Sequence, residues 1–134
     1  PDVVLGHDPW KRYRLHPDHR AAGLLACDGV VAARDPHFFP EQAIPHHRPT
    51  ALLLLEADAP DHVETVAVEH ALAKVNALLA HESQFETTMD IDLDGEAAAT
   101  ERAAFHDRIE RELAETGAAH GVERAEAFKL IDDL

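Results

Sequence analysis

The sequence predicts an α/β chain: a partial doubly wound, Rossmann-like sheet with flanking helices and a helical C-terminal extension. Three observations carry this. Apolar segments of strand character alternate with segments of helical period, the pattern of a layered α/β architecture. Only two or three strands are visible in 134 residues, fewer than a parallel sheet buried on both faces normally has, so the sheet reads as the second half of a larger one. The last third shows helical periodicity and no chemical motif.

Taken in order, "PDVVLG" (1–6) reads as a short buried strand, β-branched and closed by Gly6. "HDPWKRYRL" (7–15) is the loop at its carboxyl end. "HPDHRAAGLLACDGVVAAR" reads as a helix. Pro17 suits the first helical position, where an N–H is not needed, and Asp18 suits the positive end of the dipole. Leu24, Leu25, Val30 and Val31 with many alanines make that helix apolar nearly all round, as expected of packing on a sheet. Gly23 and Gly29 weaken it, so close packing has to hold it.

Residues 35–50 hold four prolines, Phe38, Phe39 and three histidines. This irregular segment reads as a specificity loop or as a linker that packs its phenylalanines on the body. "TALLLLEA" (50–57) is a buried strand, and "DHVETVAV" (61–68) begins as a short extended stretch. Leu72, Val75, Leu78 and Leu79 mark a helix. "FETTMDIDLDGE" reads as a polar linker. Phe105, Ile109 and Leu113 recur every four residues in an amphipathic helix with Gly117 as its stop. Val122, Ala125, Phe128 and Ile131 suggest a last short helix.

Charge narrows the function classes. The net charge is -14, from 26 acidic and 12 basic residues, so neither a nucleic-acid backbone nor an anionic membrane surface is expected as partner. The single cysteine, Cys27, forms no internal disulfide and reads as a buried packing thiol. No signal peptide and no membrane-length apolar run is apparent, and a cytoplasmic chain is expected.

The chemistry gathers at the carboxyl end of the first strand, where open α/β sheets bind ligands. There, "RLHPDHR" (14–20) places His16 and His19 three apart with Asp18 between them. Residues at that spacing face the same way on a helix. Two imidazoles and a carboxylate are parts of a zinc site, but they do not complete one, because a catalytic zinc usually takes three protein ligands and a water. From the spacing alone, a helix start with an N-terminal Asp and solvated histidines is the favoured account.

"RLHPDHRAAG", "AARDPHFFPEQ" and "KVNALLAHESQF", in that order, resemble the second half of the PIG-L/LmbE-like family of zinc-dependent N-deacetylases. The resemblance runs from about Pro1 to Gln84. It implies a hydrolase that removes acetyl from an N-acetylglucosamine-type amide by a metal-activated water, with Zn2+ as cofactor, although iron or cobalt would fit similar ligands. It implies His19 as a metal ligand and His16 as the catalytic imidazole that steadies the oxyanion. It implies Asp18 as the neighbouring catalytic carboxylate that orients the imidazoles. Trp10, Lys11, Arg12, Tyr13 and Arg14 would line the pocket mouth, with Lys74, His81, Ser83 and Gln84 bracing it.

The departures are as informative. The family's His-Pro-Asp-Asp stretch, which supplies the other metal ligands and the general base, is not in this chain, and "GHDP" (6–9) is no substitute for it. Thr65 stands where the family usually has Asp. Residues 1–90 therefore read as the C-terminal half of a deacetylase domain, and 91–134 as a helical extension. The expected partners are a small N-acetyl sugar conjugate and the missing N-terminal half, as a separate fragment or in the same polypeptide. Pairing of two copies along an exposed sheet edge is also expected. The isolated chain is expected to be inactive and to bind zinc poorly. The competing reading is a degenerate, non-catalytic member that serves in binding or assembly.

Overall fold

A computed structural model describes residues 1–134. Four strands, β1 (Val3–His7), β2 (Ala51–Leu55), β3 (His62–Thr65) and β4 (Ala125–Ile131), form one sheet in the order β1-β2-β4-β3. Three helices are α1 (Pro17–Arg34), α2 (Val68–Leu79) and α3 (Ala98–Ala119). The α/β class is as expected, with β1 parallel to β2 and β4 antiparallel to it. The chain divides into two units, Pro1–Val63 with Ala127–Leu134, and Glu64–Glu126.

In the first unit β2 is the apolar run that the sequence promises. Leu52, Leu53 and Leu54 are all buried, which is why the segment lacks alternation. β1 corrects an expectation. It forms, but Val3 and Leu5 are 47% and 61% exposed, because they lie on the face opposite Gly6, which packs against Ala26 of α1, at the edge of the sheet. α1 starts where Pro17 predicts and packs on β1, yet only Gly23 and Val30 are buried in it, while Leu24, Leu25 and Val31 face outward. Phe38 and Phe39 remain about half exposed and face each other at a centroid distance of 6.0 Å, lining a cleft with Leu25, Val31 and Ala32 of α1. Cys27 is half-buried; burial and the nearby Asp28 and Asp8 carboxylates push its thiol pKa up, so it stays a protonated thiol.

Gly23 marks the tightest contact of α1. A Cβ there would lie 2.4 Å from the His7 carbonyl oxygen and 3.0 Å from Pro9 N, both backbone atoms that cannot swing aside. Gly23→Ala should therefore lower stability by about 1–3 kcal/mol through overpacking. Gly29→Ala is the control: nothing lies within 4 Å of that position, and relief of helix-interior glycine should stabilise by about 0.5–1 kcal/mol. Urea unfolding of both variants checks the opposite signs.

The second unit has its own core of Ala71, Val75, Phe85, Met89, Ile91, Phe105, Ile109 and Leu113. The every-fourth spacing on α3 is buried as expected. Three expectations fail in the remainder of the chain. Residues 85–96 are no simple polar linker: Phe85–Met89 make a π-helical turn, and Phe85, Met89 and Ile91 turn into the core. The last short helix is instead strand β4, from Ala125 to Ile131. Ala, Glu, Lys and Leu favour helix locally, but β2 needs a partner on its second side, and Leu52–Leu55 pair with Phe128–Ile131. Gly117 is not the stop of α3, which runs on to Ala119; it admits the Arg124 backbone, whose nitrogen would sit 2.7 Å from a Cβ.

Candidate metal-binding and catalytic site

The three sequence-predicted residues all sit in or beside the first turn of α1. His16 is the N-cap, with extended backbone, and its Nδ1 accepts from the Asp18 N–H at 3.3 Å. This satisfies one of the orphan donors of the helix start. It also assigns the proton of a neutral His16 to Nε2, because a nitrogen that accepts carries none. His16 Nε2–H is thus a donor left free to face a ligand. The Asp18 carboxylate lies 4.0 Å from His16 Nδ1.

His19 is exposed and stands one turn further on. Its ring meets His16 edge-on, with centroids 5.1 Å apart, and meets His7 edge-on at 4.5 Å. His7 and Glu56 complete the group and carry no mark in the sequence motif. Their proximity comes from parallel pairing. Register places His7 beside Leu55, so the next residue, Glu56, emerges at the same end of the sheet. The rule that ligands gather at the carboxyl ends of parallel strands is the signal that finds both residues.

The contacts are close. His7 Nε2 lies 3.1 Å from His19 Nδ1, and His7 Nδ1 lies 2.9 Å from Arg14 Nη1. Arg14 Nη2 donates to Glu56 Oε2 at 2.7 Å and reaches the Glu56 carbonyl at 3.4 Å. The Arg14 side chain is 7% exposed, the most enclosed charge of the group. Glu56 and Tyr13 both have left-handed backbone, with φ of 55° and 59°. For residues other than glycine such conformations cost of order 1 kcal/mol, and they cluster where a site dictates the backbone.

One donor atom from each of His7, His19 and Glu56 lies within 4.8 Å of the others. A tetrahedral ion with bonds near 2.05 Å holds its nitrogens about 3.4 Å apart. The 3.1 Å between His7 and His19 is near that value, so the donor set fits a zinc-type ion. Against it stands the Arg14 guanidinium, which binds the Glu56 carboxylate and the other ring nitrogen of His7, Nδ1.

Burial, together with the charges of His19 and Arg14, holds the His7 pKa below the ordinary 6.5. The sign of the consequence follows. Between the folded and the unfolded pKa the unfolded chain binds more protons, so stability rises with pH there and falls as pH drops through about 6.5. His7→Gln should flatten this slope. Urea unfolding at about pH 7.5 and about pH 5.5 measures it, and an unchanged slope in the variant would contradict the assignment.

The other residues of the predicted site divide between the units. Asp8 is buried and accepts from Trp10 N at 2.9 Å, while Arg12 N donates to Asp58 at 2.7 Å, which together shape the 7–15 loop. Lys74, His81, Ser83 and Gln84 belong to the second unit, where Lys74 pairs with Glu126 and Gln84 accepts from Thr88.

This is an α/β chain with a histidine cluster at the carboxyl edge of its parallel strand pair. No family model matches it. A diacetylchitobiose deacetylase of Thermococcus kodakarensis is 34% identical over 88 residues, covering 63% of this chain and 33% of that protein. The structure of an N,N'-diacetylchitobiose deacetylase from Pyrococcus horikoshii, complexed with its inhibitor, superposes with a TM-score of 0.72 at 24% identity, over 98% of this chain and 46% of that one. A conserved protein of Thermus thermophilus has a TM-score of 0.62 at 22% identity, over 96% and 51%. The resemblance to the PIG-L/LmbE-type family is thus borne out over part of a domain. The chain spans from one third to about one half of the length of these relatives. No helix is long and apolar enough to cross a membrane.

Proposed function

We propose that the chain is the C-terminal part of a zinc-dependent N-deacetylase domain acting on N-acetylglucosamine-type amides. The observation that carries this is the placement of His16 and His19 at the start of α1, at the carboxyl edge of the sheet, in a chain 34% identical over 88 residues to a diacetylchitobiose deacetylase. Zinc, when bound, would polarise the amide carbonyl and lower the pKa of a bound water. His19 and the neighbouring His7 and Glu56 are the residues here with the donors to hold it. His16 would direct its Nε2–H at the oxygen on which negative charge develops, and Asp18 would hold that ring in place. The Arg12 and Arg14 loop would face the sugar.

The general base and further ligands would come from the N-terminal half of the domain. The exposed β1 edge, with Val3, Leu5, Leu24 and Leu25 uncovered, supports this. Such an edge pairs readily with another strand, and a second copy of this chain is the competing occupant. Residues 1–90 would then be the catalytic portion, and residues 91–134 would add α3 and the strand β4 that pairs with β2.

The test is deacetylation of diacetylchitobiose, with zinc content, by chain 1–134 alone and by the chain joined to the N-terminal half of the Thermococcus relative. The joined protein should hydrolyse the substrate and hold zinc, and the isolated chain should do neither. Full activity in the isolated chain would sink the partial-site reading. An inert joined protein that is folded would favour a binding or assembly module instead.

A further inference from the structure

Arg14, His7 and His19 form a directional hydrogen-bond chain whose polarity is set at one end. A guanidinium has donors and no acceptor. His7 Nδ1 lies 2.9 Å from Arg14 Nη1 and 3.5 Å from Glu56 Oε2; the nearer contact is to the guanidinium, so Nδ1 accepts there and carries no proton. The proton of a neutral His7 is then on Nε2, 3.1 Å from His19 Nδ1. His19 Nδ1 accepts it in turn, and the proton of a neutral His19 is on Nε2. Arg14 cannot easily leave, because its side chain is 7% exposed and is bound to the Glu56 carboxylate at 2.7 Å.

We propose that Arg14 and His7 are positioning residues that set the tautomer of His19 and so restrict metal capture by the His7–His19–Glu56 cluster. Arg14 holds His7 and Glu56 directly and His19 through His7. A metal on His7 Nε2 would need its proton moved to Nδ1, where it would point at the guanidinium. A metal on His19 Nε2 would need the proton on Nδ1, where it would oppose the His7 N–H. A metal on His19 Nδ1 would displace His7. Glu56 Oε2 is engaged by Arg14. Metal binding at His19 thus requires this chain of hydrogen bonds to open, a requirement that rests on the ligand role proposed above.

Nitrogen-15 NMR of the imidazoles in the 134-residue chain at pH 8 reads the tautomers directly, without substitution. His7 should show an unprotonated Nδ1 and a protonated Nε2, and His19 an unprotonated Nδ1; a protonated His7 Nδ1 would overturn the proposal. Arg14→Met should release the His7 tautomer to a mixture and tighten zinc binding about 10-fold or more, the scale on which outer-shell partners tune metal sites. Adding Glu56→Gln should remove most of that gain. Unchanged zinc affinity in folded Arg14→Met, or a gain that survives Glu56→Gln, would also overturn it. Deacetylase activity enters none of these readouts, so an inert joined enzyme would sink the functional reading and leave the tautomer assignment standing or falling by itself.

Discussion

His16→Ala, made in the protein joined to its N-terminal half, should lower the turnover of diacetylchitobiose by about 100- to 1,000-fold, the usual effect of losing one oxyanion donor. The reasoning is local. His16 Nδ1 is tied to the Asp18 N–H at 3.3 Å, so its free donor is Nε2–H, and alanine supplies none. The KM should change far less than kcat, because charge on the carbonyl oxygen develops only in the transition state. Zinc content should stay near that of the parent, since His19 and not His16 is the expected ligand. A His16→Ala enzyme with unchanged kcat would remove His16 from the chemistry. Loss of zinc together with activity would assign it to the metal instead. The fold itself should tolerate the change at a cost of about 1 kcal/mol, as for other N-cap losses.

Phe85→Ala should be the most damaging of the single substitutions for stability, at about 3–5 kcal/mol. Phe85 is fully buried at the start of the π-helical turn, among the side chains of α2 and α3. The Arg102 guanidinium lies 4.5 Å from its ring centroid, and that contact, worth about 0.5–1 kcal/mol at such sites, goes too. Against a total stability of roughly 5–15 kcal/mol for a domain this is a large fraction. Phe39→Ala is the matched control. Its ring is 56% exposed in the proline-rich segment, and the change should fall within about 0.5 kcal/mol. Equilibrium urea unfolding of the two variants decides the matter; equal losses would mean that residues 85–91 do not anchor the second unit.

Phe85 also shows where sequence reading reaches its limit. The stretch from 85 to 96 is dominated by acids and threonines, so composition points to a linker. Its three buried apolar residues fall at 85, 89 and 91, a spacing that fits neither a helix nor a strand, and the π-helical turn that aligns them has no local signature. β4 is the opposite case. Its residues favour helix locally, and an apolar stripe at i, i+3 spacing agrees, but the hydrogen-bonding demand of β2 prevails.

What the sequence by itself determined is the class and one side of the candidate site. Alternating strand and helix patterns, Pro17 at the start of α1, and His16, Asp18 and His19 in one turn are local features. Helix geometry alone brings those side chains together, and the resemblance to a deacetylase rests on that turn and on two later segments, "AARDPHFFPEQ" and "KVNALLAHESQF". Only the tertiary structure decided that His7 and Glu56 join them, because they are 49 residues apart and meet through the parallel register of β1 and β2. It alone placed the Arg14 guanidinium between them, through a loop whose left-handed Tyr13 no motif announces. It also exposed β1, whose residues read as buried: a strand's apolar character records the neighbour it is built to meet, and burial depends on whether that neighbour is there.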